Sequence, residues 1–167
     1  AQRAAAAKVL HAHGLDIREG VFETVPLEPA AYDAVTMIDI IEHTSRPYDA
    51  LRRAGGILRP GGLLVLVTPD IGSASARIAG GRWWHFRPAH VGYFTRRSLD
   101  ALLARTGFAV VRRRGYAWHF SAHYLASRKR ALRFLVRRPG PASFLKRIPI
   151  KLALGDSFEI FALKKGP

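Results

Sequence analysis

The sequence predicts an α/β fold built on a mostly parallel sheet. Two short apolar runs rich in branched residues, Ala34–Ile38 and Leu63–Val67, are typical of buried parallel strands. Between them, Leu51, Ala54 and Leu58 recur on one helical face, which predicts a helix that separates the two strands. Strands that alternate with helices indicate a parallel sheet covered on both faces.

Capping and breaking residues set the element boundaries in the first half of the chain. Alanine favours helix, proline and glycine interrupt it, and small polar residues begin it. The first expected elements are a helix over 1–13 that ends at Gly14, a short strand over 16–20 and a loop over 21–31. The next helix is expected to be capped by Thr44 or Ser45, to have Pro47 in its first turn and to stop at Pro60-Gly61-Gly62.

The second half follows the same signals. An irregular aromatic segment over 71–92 precedes a helix that Thr95 caps and Gly107 ends, with Leu99, Leu102 and Leu103 on its apolar face. The remaining expectations are a strand that starts at Phe108–Val111, a basic and partly helical segment over 118–155 that its prolines interrupt, and a final strand at Ser157–Leu163. No clean crossover helix joins the last two strands, which favours an antiparallel pair.

Composition bounds the class of protein. The chain has 167 residues, 49% of them apolar, which fits one domain with its own core. It has no cysteine and no uncharged apolar run long enough to span a membrane, which favours a cytoplasmic location. The sequence begins without Met or a signal-peptide core, and we interpret it as the start of a fragment.

Positive charge is concentrated in one part of the chain. The formal net charge is +15, and residues 101–155 hold thirteen Lys or Arg and no acid. Such a field attracts phosphate groups of nucleic acid, anionic lipid or a charged substrate. The alternative is a solvated basic face with no partner.

In a parallel sheet, ligands bind beyond the carboxyl ends of the strands. The segments after Ile38 and after Val67 are therefore the expected location of the chemistry.

Three segments resemble class I S-adenosylmethionine-dependent methyltransferases, in particular the group that includes the ubiquinone-biosynthesis O-methyltransferases. They are Tyr32–His43, which ends in D-x-x-E-H, Leu58–Asp70, and His90–Phe108. The resemblance implies a Rossmann-like sheet of seven strands, with the last strand antiparallel beside the fifth, of which this chain supplies about five. The family's N-terminal strands and glycine-rich cofactor loop have no counterpart here, and we expect them to lie upstream.

The same resemblance implies how S-adenosylmethionine would bind. Val21, Phe22 and Glu23 match the loop beside the adenine, although Val21 stands where an acid is common. Phe22 could equally be a core residue. The backbone of Met37, Ile38 and Asp39 would lie beside the methionine part of the cofactor.

The D-x-x-E-H motif and a later histidine are the candidates for chemistry. Some relatives bind a divalent cation there, so Asp39, Glu42, His43 and His90 are candidate ligands for Mg²⁺, Mn²⁺ or Zn²⁺. The alternatives are a histidine base, with His43 and His90 as the catalytic residues, and a purely structural role that fixes the turn.

An aromatic loop is expected to cover the acceptor pocket. It contains Trp83, Trp84, His85, Phe86 and His90. The alternative is a buried lid that only excludes water.

The most distinctive segment is a basic insertion at about 117–155. Its apolar residues recur at helical spacing among basic ones, which is typical of interfacial helices. Three interpretations stay open: docking on a membrane surface, binding of nucleic-acid phosphates, and a solvated face. A basic stretch within it is formed by His119, His123, Tyr124, Arg128, Lys129, Arg130, Arg133, Phe134, Leu135, Arg137 and Arg138.

Together these observations predict one partial methyltransferase domain over 1–167 that methylates an oxygen of a small-molecule or lipid-linked acceptor. Its location would be cytoplasmic, or at the inner membrane surface. The alternatives are an RNA methyltransferase and a non-catalytic binding module with a degenerate methyltransferase fold.

Overall fold

The computed structural model describes residues 12–15, 17–128 and 139–166. The strands are β1 (Tyr32–Ile38), β2 (Leu58–Pro69), β3 (Phe108–Gly115), β4 (Trp118–Ser121), β5 (Pro149–Leu152) and β6 (Ser157–Lys164). The helices are α1 (Pro47–Ile57), α2 (Ala74–Ala79), α3 (Arg96–Arg105), α4 (Ala122–Arg128) and α5 (Pro139–Arg147). Single 3₁₀ turns lie at Ile41–His43 and Gly80–Arg82.

The main sheet has the strand order β1-β2-β6-β3. β1 is parallel to β2, whereas β6 lies antiparallel between β2 and β3. The expected α/β class and the antiparallel last strand beside the longest parallel strand are thus confirmed. The described residues contribute four strands to this sheet, one fewer than expected.

The missing strand is the one expected over 16–20. Residues 17–20 run as irregular chain, and Asp16 lies outside the described residues. A strand needs a ladder partner for its N–H and C=O groups, and no described strand lies beside this segment. The expected helix over 1–13 also lies largely outside the described residues, although Gly14, at φ +70°, adopts the conformation that ends helices.

The expectation that β1 is buried on both faces is wrong. Val35 and Met37 face the core, but Ala34, Thr36 and Ile38 on the other side are exposed. β1 is the edge strand of the described sheet, and no described helix covers that face.

Helix α1 has its N-cap one residue after Ser45 and two residues after Thr44, the expected caps. Arg46 is the N-cap residue and its side chain makes no capping bond, while Pro47 takes the first position as expected. Thr44 is unavailable as a cap because its hydroxyl donates to the Ile41 carbonyl oxygen at 2.8 Å and closes the preceding turn.

Strand β2 begins earlier than expected and contains the predicted helix stop. Tyr32 pairs with Leu58 but Ala34 pairs with Leu63, so the intervening residues form a bulge. Gly61, at φ +72°, makes that bulge possible without strain.

Helix α3 matches its prediction. The Thr95 hydroxyl accepts from the Ser98 N–H, and the Ser98 side chain bonds back to Thr95, which forms a capping box. Leu99 and Leu103 are fully buried, and Gly107 ends the helix at φ +85°.

Two regions expected to be irregular or helical contain other structure. Ser73 caps α2 inside the segment expected to be irregular. The basic segment contains an antiparallel hairpin, β4 paired with β5, as well as helices α4 and α5. Residues 129–138, which hold much of its charge, lie outside the described residues. Among the described helices, none is long and apolar enough to cross a membrane.

Candidate functional site

The carboxyl ends of β1 and β2 lie at one edge of the sheet, and three acids mark that edge. Asp39 follows β1 and Asp70 follows β2, while Asp156 immediately precedes antiparallel β6. The Asp70 N–H donates to the Asp156 carbonyl oxygen at 2.8 Å, which joins the last two. Strand β3 also ends here, so the β4–β5 hairpin begins beside this edge.

A cluster of one carboxylate and two imidazoles lies beyond β1. Glu42, His43 and His90 each offer a ligand atom within 4.8 Å of the others. The His43 Nδ1 lies 2.7 Å from the Ala89 carbonyl oxygen, and the Glu42 Oε2 accepts from the Thr68 hydroxyl at 3.0 Å. Two further atoms, Glu42 Oε1 and His90 Nδ1, are buried and unpaired among the described residues.

Asp39 lies beside this cluster in an unusual backbone conformation. Its φ is +52°, a region that acidic and amide residues enter more readily than most. Burial, followed by the charge of Glu42, raises the pKa of Asp39 from its ordinary 3.8 to about 6. The carboxyl therefore lies close to its titration point near neutral pH.

The expected four-ligand Mg²⁺ set is only partly assembled. Glu42, His43 and His90 come together, but Asp39 is not part of the group. Mg²⁺ prefers six oxygen ligands, whereas this group offers one carboxylate and two nitrogens. The described donors do not fit Mg²⁺, and we derive no chemical step from it.

The aromatic loop after α2 contains both buried and exposed residues. Trp83 and His85 are buried, while Trp84 and Phe86 are more than two-fifths exposed. The loop is fastened at its end because the Val91 and Gly92 N–H groups both donate to the Glu42 carbonyl oxygen. Burial lowers the pKa of His85 and of His90 below the ordinary histidine value.

A cavity of about 430 Å³ opens between this loop and the β4–β5 hairpin. Its polar residues come from the end of β1, the following 3₁₀ turn and the loop, and most of its apolar residues come from the hairpin and α4. The polar residues lining it are Asp39, His43, His85, Arg87 and His90, and the apolar ones are Trp84, Ala89, Trp118, Phe120, Tyr124, Leu152 and Leu154.

The hairpin side of the cavity was not predicted. Trp118 and Phe120 alternate along β4 with their rings stacked, and Phe120 stacks in turn on Tyr124 of α4 at 5.2 Å between centroids. The alternation of Trp118 and Phe120 was the available signal for a strand. The histidines and arginines around them favoured a basic helix instead.

Asp156 was also missed as a site residue. It is buried, and its Oδ2 lies 2.9 Å from the His85 Nε2. The two residues lie 71 positions apart in the chain, so only the fold shows that they are neighbours.

The residues expected to contact the cofactor differ in exposure. Val21 and Ile38 are 63% and 48% exposed, which leaves both available to a ligand. Met37 is buried in the core, so only its backbone is available. Phe22 packs against the core beneath the Arg53 guanidinium, which favours the structural interpretation of this residue. Glu23 lines a separate groove with Arg52 and Arg53.

The sequence of the chain is similar to those of known methyltransferases. Residues 3–113 match the family model described as a methyltransferase domain. A Mycolicibacterium smegmatis protein named "Probable S-adenosylmethionine-dependent methyltransferase" is 30% identical over 96 residues, which are 58% of this chain. The chain spans only 36% of that relative's length.

Solved structures share the fold. A SAM-dependent methyltransferase from Thermotoga maritima superposes with a TM-score of 0.59 at 20% identity, over 95% of this chain and 69% of the other. The cyclase SpnF superposes with a TM-score of 0.61 at 20% identity, over 98% of this chain and 62% of the other. Because that neighbour is named for a cyclisation, the fold alone does not fix the reaction.

Proposed function

The chain belongs to the methyltransferase domain family, and on that premise we propose that it takes part in methyl transfer from S-adenosylmethionine to an oxygen of a small-molecule acceptor. The observation that supports this is the cavity at the carboxyl edge of the sheet, which titratable groups and aromatic rings line together. That edge is where α/β sheets bind their ligands.

The cofactor would lie along the exposed side of β1. Ile38 offers apolar surface there, and Asp39 directly follows the strand. Bound there, S-adenosylmethionine supplies a methyl group on a positively charged sulfur. The described residues fit part of the cofactor only, since the sequence has no glycine-rich loop whose amides could approach it closely.

The aromatic residues that line the cavity favour an acceptor with a flat apolar part. Trp118, Phe120 and Trp84 present ring faces or edges, on which a planar ring packs well. The cavity volume of about 430 Å³ suits a small molecule of one or two rings. These rings lie outside the family-matched residues except for Trp84, so the hairpin is the element that would select the acceptor.

Within the same proposal, the small-molecule acceptor could be one that is linked to a lipid. Phe144 on α5 is 67% exposed, and its neighbours Lys146 and Arg147 are also exposed. An exposed aromatic residue beside basic ones is typical of contact with a lipid headgroup region.

Transfer of a labelled methyl group tests the proposal. The complete encoded protein would be incubated with labelled S-adenosylmethionine and two small phenols, 4-methylphenol and 4-nitrophenol. We expect methyl ether from at least one phenol, and a Phe120→Ala variant should raise KM for it. Absence of transfer to both phenols, or transfer of the label to RNA supplied in a parallel reaction, would contradict the small-molecule assignment.

A further inference from the structure

The His85–Asp156 pair is a feature of the cavity that no sequence motif indicates. The His85 Nε2 lies 2.9 Å from the Asp156 Oδ2, and the two side chains are 9% and 1% exposed. Asp156 follows Gly155, at φ +65°, and its backbone is fixed to the end of β2 by the bond from Asp70. The backbone of Asp156 is therefore fixed at the carboxyl edge of the sheet, and its Oδ2 bonds His85 while its Oδ1 is buried with no hydrogen-bond partner among the described residues.

The pair fixes which nitrogen of His85 carries the proton. A carboxylate only accepts hydrogen bonds, so Nε2 must be the protonated nitrogen of the neutral ring. Nδ1 then keeps a lone pair. It has no hydrogen-bond partner among the described residues, and the ring lines the cavity.

Among the described residues, neither of the other two histidines of the cavity is bonded to a carboxylate. The His43 Nδ1 bonds a backbone carbonyl, and its side chain is exposed. The His90 Nδ1 is buried without a partner among the described residues. Of the three, His85 alone has a ring that a buried carboxylate orients, which is the arrangement that general bases use.

We propose that His85 is the general base that removes the proton of the acceptor hydroxyl, and that Asp156 is the positioning residue that orients the His85 ring. This rests on the proposed methyl transfer to an acceptor oxygen. Burial keeps His85 neutral near pH 7, and so able to accept a proton, because it lowers the pKa of the ring.

The step balances in atoms and charge. The acceptor O–H bond breaks and its proton moves to His85 Nδ1. The oxygen's electron pair forms the new bond to the methyl carbon, while the carbon–sulfur bond breaks and its electron pair stays on sulfur. The imidazolium that results lies against the Asp156 carboxylate, which stabilises its charge.

Two phenols of different acidity test the assignment. 4-Methylphenol, the side chain of tyrosine, has a pKa of about 10 and needs a base near neutral pH, whereas the more acidic 4-nitrophenol is already partly ionised there. For His85→Gln in the complete encoded protein, kcat with 4-methylphenol should fall about 10²- to 10⁴-fold with little change in KM. The fall with 4-nitrophenol should be much smaller.

Asp156→Asn should show the same selective loss, and Asp156→Glu should restore part of it. His119→Gln is the matched control, because His119 is exposed on β4 and does not line the cavity. An equal loss with both phenols would mean that His85 only supports the loop, and normal turnover of 4-methylphenol would also overturn the proposal.

Nitrogen NMR of the His85 ring gives a second readout that needs no acceptor. We expect the neutral ring with its proton on Nε2 near pH 7, and a mixture of tautomers in Asp156→Asn. A proton on Nδ1, or an imidazolium at that pH, would overturn the assignment. Failure to methylate either phenol would contradict the proposed function, and the NMR result would still decide the state of His85.

Discussion

Asp39 is the residue at which local strain and local electrostatics coincide. Its positive φ and its pKa of about 6 both follow from its position at the end of β1 beside Glu42. Above pH 6 the carboxyl is ionised in the folded protein, and this lowers the free energy of unfolding because the folded-state pKa exceeds the ordinary value. Below about pH 4 both the folded and unfolded states are protonated and this effect disappears.

Asp39→Asn removes the charge and keeps a side chain that tolerates positive φ. We expect the variant to be more stable than the parent by about 1 kcal/mol above pH 7, a value reduced from the full shift because Asp39 is partly solvent-screened. The gain should vanish below pH 4. Urea unfolding across this pH range measures it, and a gain that grows as the pH falls would contradict the assigned pKa direction.

A second prediction for individual residues concerns the cluster of Glu42, His43 and His90. Since its donors do not fit Mg²⁺, methyl transfer by the complete encoded protein should be unchanged by EDTA and by added Mg²⁺. Loss of activity in EDTA that Mg²⁺ restores would contradict this. Restoration by Zn²⁺ or Mn²⁺ alone would instead indicate a transition-metal site on the imidazoles.

Two glycines test the assigned elements. Gly56 lies in α1 with open space where a Cβ would point, so Gly56→Ala should stabilise the protein by about 0.5–1 kcal/mol. Gly61 also has open space but lies at φ +72°, so Gly61→Ala should destabilise it. Thermal unfolding compares the two, and the same sign for both would contradict the boundary between α1 and β2.

Elements with a strong local signal could be predicted from sequence, and elements defined by distant contacts could not. Thr95 and Gly107 bound α3 as expected, and the apolar core of β2 was recognised. The β4–β5 hairpin was missed because Pro149–Leu152 becomes a strand only by pairing with β4 across a basic segment. In the site, the grouping of Glu42, His43 and His90 was predictable, whereas the pairing of His85 with Asp156 depends on the antiparallel entry of β6.

Helix α5 makes the membrane interpretation testable. Each basic residue near an anionic surface contributes about 1 kcal/mol to binding. The triple variant Phe144→Ser, Lys146→Gln, Arg147→Gln should reduce co-sedimentation of the complete encoded protein with anionic vesicles. The control Arg77→Gln, Ile78→Ser, Arg82→Gln also removes two positive charges and one exposed apolar side chain, on α2 and the following turn, and should not reduce it. Equal loss in both triples, or no binding by the parent, would contradict docking through α5.

At the scale of the whole molecule, the sheet, the aromatic loop and the hairpin meet at the carboxyl edge of the sheet. Strands β1 and β2 end there, β6 begins there, and the cavity opens between the loop and the hairpin. The exposed face of β1 reaches this edge at Ile38, and the next residue, Asp39, lines the cavity. This arrangement is what allows a cofactor on β1 and an acceptor in the cavity to meet.

Calorimetric titration with S-adenosylmethionine tests that central claim most directly. In the complete encoded protein, Ile38→Lys places a charge on the proposed cofactor surface and should weaken binding at least about tenfold, or about 1.4 kcal/mol. Val111→Lys changes another exposed apolar strand residue, on β3, and should leave the affinity unchanged. Equal affinity in both variants, or no binding of S-adenosylmethionine by the parent protein, would contradict the account.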